Sequence, residues 1–309
     1  PGNNGGPLLE PANVRNVVAV GASEKSESSD RWSASSIGPT ELGTNGIFAL
    51  AVGTSVQSAR ADGVDDSYND ALRSSSGTSM ATPAAASVAA LLQQMVEQGW
   101  ISGKENRTSV PLITVRQDWV NADKNLTNNL SLAEGFSPSG ALLRALMSLA
   151  VTPLPQDVRN GGAGGYELQN TYDGWGQLNL SALVDFNAIE QNLHLGDVSP
   201  LGNVWVHDSY RLVSQTPQSW LQQRQGSLEA LENLIETPWN GSDAVGPFLK
   251  TGEIWVERFD LHEGDFDARL AWNAAPEPYL VDDLQLVVRL SDGRIALANS
   301  FQNDGYSTL

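Results

Sequence analysis

The sequence predicts an α/β region followed by a region of antiparallel β-strands. Two apolar stretches, residues 13–22 and 46–53, read as buried strands that end at a glycine turn. A run without charged residues, 81–96, has apolar residues all round and predicts a helix buried on every side. After Pro247 apolar and polar residues alternate, which is typical of strands with one buried face.

Composition limits the classes of function. The chain has 309 residues, enough for two domains, and 40% of them are hydrophobic. Its 18 basic and 36 acidic residues give a net charge of -18, which argues against nucleic acid as a partner because phosphate contacts need clustered Lys and Arg. No cysteine is present, so disulfides, thiol catalysis and Cys-ligated zinc are excluded. No stretch reaches the roughly 18 apolar residues of a membrane span.

A serine lies at the beginning of the predicted buried helix. Ser79 follows the small-residue turn 75–78, so it would see the positive end of the helix dipole and free backbone N–H groups. Such a position favours an oxyanion and a nucleophilic hydroxyl when a base is near. The alternative is that the Thr and Ser of this turn simply cap a core helix. The residues by themselves leave both interpretations open.

Two short motifs resemble the active site of the subtilisin-like serine proteases. Residues 77–83, Gly-Thr-Ser-Met-Ala-Thr-Pro, are similar over seven consecutive positions to the nucleophile motif of that family. Residues 2–5 are similar to the last four positions of its Ala-Gly-Asn-x-Gly segment, with Pro1 where alanine is usual. The resemblance implies that Ser79 is the nucleophile and that the Asn3 side chain donates to the oxyanion, while Asn4 is expected to be a turn residue.

Further segments resemble the same family in the same order. The predicted strand 13–22 is similar to the strand that follows the oxyanion asparagine, and 174–179 is similar to the Gly-Trp-Gly-x-Val/Leu-Asn sequence that closes the catalytic domain. Residues 137–150 predict an amphipathic helix with a family counterpart. Within 46–53 the family's Asp and both its prolines are absent, and their places are taken by Ile47, Phe48 and Val52.

The resemblance implies a domain organisation. Residues 1–195 are expected to be the C-terminal part of a subtilisin-like catalytic domain, a three-layer fold around a parallel sheet, with a last helix over 181–189. Residues 196–250 are expected to be a connecting or inserted segment that contains a helix within 216–236. Residues 251–309 resemble the β-sandwich, or jelly-roll, domain of some bacterial alkaline proteases, with predicted strands at 253–259, 267–272, 283–290 and 294–299 and a turn at 291–293.

The histidines do not complete a catalytic triad. His194, His207 and His262 all follow Ser79, whereas the family order is Asp, His, Ser. The resemblance therefore implies that the triad Asp and His lie outside this chain, which we expect to be cut at both ends and inactive alone. His207 is expected to be a surface residue at the end of a strand.

Three alternatives stay open from the sequence. An α/β-hydrolase would suit the order Ser before His, but residues 69–76 predict a poor strand ahead of Ser79. A pseudoprotease whose β-sandwich binds a partner or a cell surface is a second class of function. The acidic loop 59–73, which contains Asp62, Asp65, Asp66 and Asp70, could hold structural Ca²⁺, although a solvated connection is the preferred interpretation.

The resemblance also implies which cofactors, partners and cellular location to expect. The reaction needs no cofactor or metal, and the expected partners are protein or peptide substrates. The family is mostly secreted, so an extracellular location is expected.

Overall fold

A computed structural model describes residues 1–25, 30–41, 43–65, 68–97, 100–103, 138–154, 169–184, 186, 204–209, 249–256, 266–275, 281–298 and 307–308. The chain forms two compact units. The first consists of Pro1–Ala89, Met147–Ala182 and Arg269–Leu309, and the second of Ala90–Leu146 and Leu183–Ala268. The predicted boundaries at 195 and 250 stay a prediction.

A four-stranded sheet organises the first unit. Its strands are β1 (Val20–Ser23), β2 (Ala49–Val52), β6 (Val151–Thr152) and β7 (Gln177–Leu178), in the order β1-β2-β7-β6. Strand β2 is parallel to β1 and to β7, whereas β6 is antiparallel to β7. The predicted α/β class with parallel strands is therefore confirmed. Strands β1 and β2 are almost wholly buried, as expected for the apolar centre of a parallel sheet.

Strand β1 is shorter than the stretch 13–22 that was predicted to form it. Val14 and Val17 are exposed, and Asn16 has a φ of 65°, in the left-handed region. A residue in that conformation turns the chain and cannot continue a strand. The prediction is wrong for the first part of the stretch, because a turn precedes the strand.

Helix α1 (Thr78–Glu97) begins inside the motif 77–83. The helix itself was predicted, but burial on all sides was wrong. Leu91 is 46% exposed, and the buried apolar positions make one stripe of Ala81, Ala85, Leu92 and Val96. The other faces of the helix consist mostly of alanines and uncharged polar side chains, which can be exposed to solvent. A helix without charged residues is therefore not necessarily buried on every side.

An exposed hairpin precedes α1. Strands β3 (Val56–Ala59) and β4 (Leu72–Ser75) pair antiparallel. All the residues described between them are exposed, which fits the predicted solvated connection. The described side chains of this loop make local bonds, such as the one from the Val64 amide to Asp62 Oδ1 at 2.9 Å.

The second unit contains a short parallel pair, β5 (Ser102–Gly103) and β8 (Trp205–Val206). Helix α2 (Gly140–Leu149) confirms the helix predicted at 137–150 and extends from this unit into the first. Ser139 caps the helix, because its Oγ accepts a hydrogen bond from the Leu142 amide at 3.2 Å. The Ser139 amide in turn donates to the buried carboxylate of Asp208 at 2.6 Å.

The C-terminal part differs most from its prediction. Strands β9 (Val287–Arg289) and β10 (Ile295–Leu297) form the predicted hairpin, and β11 (Ser307–Thr308) extends it antiparallel. Residues 253–256 and 267–272 are described and are not strands, so those predictions are wrong there. Residues 269–272 do not form a strand because their segment is held by side chains of the first unit.

Other predicted helices receive little support. In the range 181–189, predicted to be a helix, the chain begins with a 3₁₀ turn, Leu180–Ala182, and Phe186 is helical. Residues 185 and 187–189 lie outside the described ranges. The helix predicted within 216–236 also lies outside them. Within the described ranges, no helix combines the length and apolarity that crossing a bilayer requires.

Candidate active site

The loop between β4 and α1 is fastened to the central sheet by its backbone. The Gly77 amide donates to the carbonyl of Gly53 at 2.7 Å, and the Gly53 amide donates to the carbonyl of Ser23 at 3.0 Å. Ser23 ends β1 and Gly53 follows β2 directly. The loop therefore lies at the carboxyl ends of two parallel strands, where α/β sheets commonly place their ligand sites.

This contact requires glycine at residue 53. A β-carbon there would lie 2.6 Å from Cβ of Ala22 and 2.8 Å from the carbonyl oxygen of Gly77. Gly77 itself has a φ of 156°, a conformation that residues with a side chain rarely adopt. The loop can therefore approach the end of β2 through its backbone, which a side chain at residue 53 would prevent.

Ser79 is exposed on the first turn of α1. The carbonyl of Gly77 already accepts from the amides of Met80 at 3.0 Å and Ala81 at 3.3 Å. Among the described residues the Ser79 amide donates no hydrogen bond, as is usual for the first amides of a helix. The Ser79 hydroxyl and amide are thus both open to a ligand.

Asn3 lies against the same loop. Its Oδ1 accepts a hydrogen bond from the Thr78 amide at 2.9 Å. Its Nδ2 lies 3.3 Å from the point where a β-carbon on Gly77 would be. Because the oxygen is occupied, the orientation of the amide is determined and the nitrogen remains the donor. The structure thus brings the two residues predicted from sequence, Asn3 and Ser79, to one loop of the first unit.

Asn4 has a different role. Its Oδ1 accepts from the Gly6 amide at 2.9 Å and from Ser36 Oγ at 3.0 Å. The first bond closes the turn that carries Asn3, which agrees with the expectation that Asn4 is a turn residue. The second bond joins this turn to Ser36, 32 residues further along the chain.

Two hydroxyl contacts near Ser79 were missed by the sequence analysis. Ser76 Oγ accepts from the Ser55 amide at 2.9 Å, and Thr54 Oγ1 accepts from the Lys25 amide at 2.8 Å. They link the segments that follow β1 and β2 with the segment that precedes Ser79. The Ser- and Thr-rich stretches 54–55 and 74–76 were the available signal, since such side chains often bond to nearby backbone.

Strand β4 differs from what the sequence predicts. Residues 69–76 were predicted to be a poor strand, yet Leu72–Ser75 is one. It is largely exposed and pairs only with β3. A nucleophile elbow needs a buried strand of the central sheet before the serine, so the α/β-hydrolase interpretation still lacks its structural context.

Of the three histidines, only His207 lies in the described ranges. It belongs to the second unit and is half-buried, and its ring centroid is 4.3 Å from that of Trp255 with planes tilted by 51°. His207 directly follows β8, as predicted for a residue at the end of a strand, but it is less exposed than expected because its ring packs on an aromatic neighbour. In the described part of the chain, no group of three His, Cys, Asp or Glu side chains could hold a metal ion.

Comparison with known proteins agrees with the first unit's motifs. Residues 1–136 match the subtilase family, Peptidase S8. This stretch carries both Asn3 and Ser79, so the predicted resemblance to the subtilases is confirmed over it. The match supports a serine peptidase class for this part of the chain.

No curated protein matches the chain. Eighteen chains of solved structures do. One is a lanthipeptide protease, with 15% sequence identity over 59% of this chain and a TM-score of 0.35. The chain spans 47% of that protease's length.

Proposed function

We propose that this chain is part of a subtilisin-like serine endopeptidase, with Ser79 as the nucleophile and Asn3 as an oxyanion donor. The observation that carries the proposal is the bond from the Thr78 amide to Asn3 Oδ1, at 2.9 Å, directly beside an exposed Ser79. It leaves the Asn3 amide nitrogen and the Ser79 amide as two donors next to one hydroxyl. The match of residues 1–136 to the subtilases supports the same assignment.

The proposed reaction begins when Ser79 Oγ attacks the carbonyl carbon of a peptide bond and gives up its proton to a general base. The carbonyl oxygen becomes an oxyanion, to which Asn3 Nδ2 and the Ser79 amide donate. Collapse of the tetrahedral intermediate releases the amine, protonated by the same base, and leaves an acyl ester on Ser79. Water then hydrolyses the ester by the reverse sequence of proton transfers.

The general base is proposed to be a histidine oriented by an aspartate, neither of them among these 309 residues. All three histidines of the chain follow Ser79, which does not fit the family's order. We therefore expect these residues alone not to hydrolyse peptides at the rate of a complete triad. Proteins or peptides are the proposed substrates and the extracellular space the proposed location. A β-sandwich formed with residues 251–309 stays a proposal.

The test is labelling of the full-length protein with a fluorophosphonate, which reacts with activated serines. We expect one adduct on Ser79 and none in the Ser79→Ala variant. Asn3→Ala should lower kcat by about 10²–10³, the cost measured for loss of such a donor in subtilisin itself. Asn4→Ala is the matched control, because Asn4 has the same side chain in the same turn, but its Oδ1 accepts from Gly6 and Ser36 instead of from the Thr78 amide.

The competing function is a pseudoprotease that binds a partner. The substitutions by Ile47, Phe48 and Val52 of residues usual in the family favour it. A folded full-length protein that shows no Ser79 adduct and no peptidase activity would support this function and overturn the catalytic one.

A further inference from the structure

A side chain ahead of β1 holds a distant segment of the chain by its backbone. Asn16 Nδ2 donates to the carbonyl of Ala274 at 2.8 Å, and Asn16 Oδ1 accepts from the Ala274 amide at 2.9 Å. One carboxamide thus binds both polar groups of a single residue, as a neighbouring β-strand would. The two partners are 258 residues apart in sequence, so the contact is wholly tertiary.

Two cationic side chains extend this contact in both directions. Arg15 Nη1 donates to the carbonyl of Ala275 at 3.2 Å. At the other end of the segment, the guanidinium carbon of Arg269 lies 4.6 Å from the centre of a Trp175 ring, a distance typical of a cation–π contact. Residues 269–275 are therefore bound at both ends, and this explains why they are not a strand.

The contacts lie away from Ser79. Arg15 and Asn16 precede β1, and Trp175 precedes β7, which is parallel to β2. The Trp175 amide donates to the carbonyl of Phe48, just ahead of β2, at 2.8 Å. These residues are therefore at the amino ends of the parallel strands, whereas the loop of Ser79 is bound at their carboxyl ends.

We propose that Arg15, Asn16 and Trp175 form a docking site for an extended peptide segment, which residues 269–275 occupy. The site fastens the C-terminal part of the chain to the end of the sheet opposite Ser79. It recognises backbone through Asn16 and Arg15, and it selects a cationic side chain five residues before the residue held by Asn16. Docking here leaves the carboxyl ends of the strands open to a substrate.

The experiment compares how fast trypsin cuts after Arg269 in three proteins. Cleavage requires Arg269 to leave Trp175 and the segment to enter the protease. Asn16→Gly removes the carboxamide and tolerates the left-handed backbone, so it should raise the cleavage rate about tenfold through the loss of two hydrogen bonds. Asn13→Gly is the matched control, because Asn13 lies in the same loop and its Nδ2 donates locally, to Glu10 Oε1 at 2.8 Å.

Equal rates of cleavage in the Asn16→Gly and Asn13→Gly variants would overturn the proposal. Hydrogen exchange of helix α1 in the same samples separates local release from global unfolding. If Asn16→Gly unfolds the protein, cross-linking decides. Arg15→Cys with Ala275→Cys should be joined by a short bismaleimide, in a chain that has no other cysteine. Failure of this cross-link, with both cysteines reactive, would overturn the proposal as well.

Discussion

Asn16 and Ser55 share a left-handed backbone at opposite ends of the parallel sheet, and they are held in opposite ways. Their φ angles are 65° and 52°. Asn16, ahead of β1, uses its own side chain to bind the backbone of Ala274. Ser55, after β2, is instead bound at its amide by the hydroxyl of Ser76. A residue with a left-handed backbone can thus be needed because its side chain makes a contact. It can also be present only because the chain turns there, without a role for its side chain.

The same difference separates the two ends of the sheet. At the end near Ser79, backbone groups of Gly53 and Gly77 contact each other directly. At the other end, the side chains of Asn16, Arg15 and Trp175 contact a segment from far along the chain. Substitutions that add a side chain should destabilise the end near Ser79. Substitutions that remove a side chain should destabilise the opposite end.

The largest effect should come from adding one methyl group at the end near Ser79. Gly53→Ala places a β-carbon against backbone and Ala22, so it should lower the free energy of unfolding by about 3 kcal/mol. Urea denaturation measures the loss. Gly140→Ala is the control, because its nearest neighbour is the flexible end of Arg144 at 4.0 Å. A loss no larger than in the control would show that Gly53 is not closely packed.

Removing the Asn16 side chain should have the next largest effect. Asn16→Gly loses both bonds to Ala274 and gains chain entropy in the unfolded state, so unfolding should become easier by about 2 kcal/mol. Thermal unfolding followed by circular dichroism checks this. An unchanged Tm would mean that Asn16, like Ser55, is merely tolerated.

Ser55→Gly should have the opposite sign. Glycine adopts the left-handed conformation without the strain that serine has there, which stabilises the folded state. Glycine also increases the entropy of the unfolded chain, but this effect is smaller, so we expect the free energy of unfolding to rise by roughly 0.5–1 kcal/mol. The amide that bonds to Ser76 is kept. The measurement is the same thermal unfolding, and destabilisation would indicate a role for the Ser55 hydroxyl.

The smallest effect concerns the β9–β10 turn. Hydrogen bonds from the amide and then the side chain of Arg294 lower the pKa of Asp292 from its usual 3.8. The ionised carboxylate therefore supports the turn above that pH, and the support is lost as pH falls through the lowered pKa. The Arg294 amide signal in NMR should shift with pH only below about pH 4. Asp292→Asn should abolish that shift.

The local sequence was enough to predict those elements that are stabilised by residues close together in the chain. Residues 77–83 predicted the turn into α1 and the helix itself, and 291–293 predicted the β9–β10 turn. Both depend on backbone conformations that small residues favour over a few positions. Strands predicted from alternation at 253–256 and 267–272 failed, because alternation specifies a face and does not supply a partner strand.

The sequence by itself determined the motifs of the candidate site, Asn3 and Ser79, and the class of fold that carries them. Only the tertiary structure decided that the Thr78 amide binds Asn3 Oδ1, and that the C-terminal segment docks on Asn16 and Trp175. The reason is physical. A turn or helix start is stabilised within a few residues, whereas these contacts join groups that are 75 to 260 residues apart and meet only when the chain is folded.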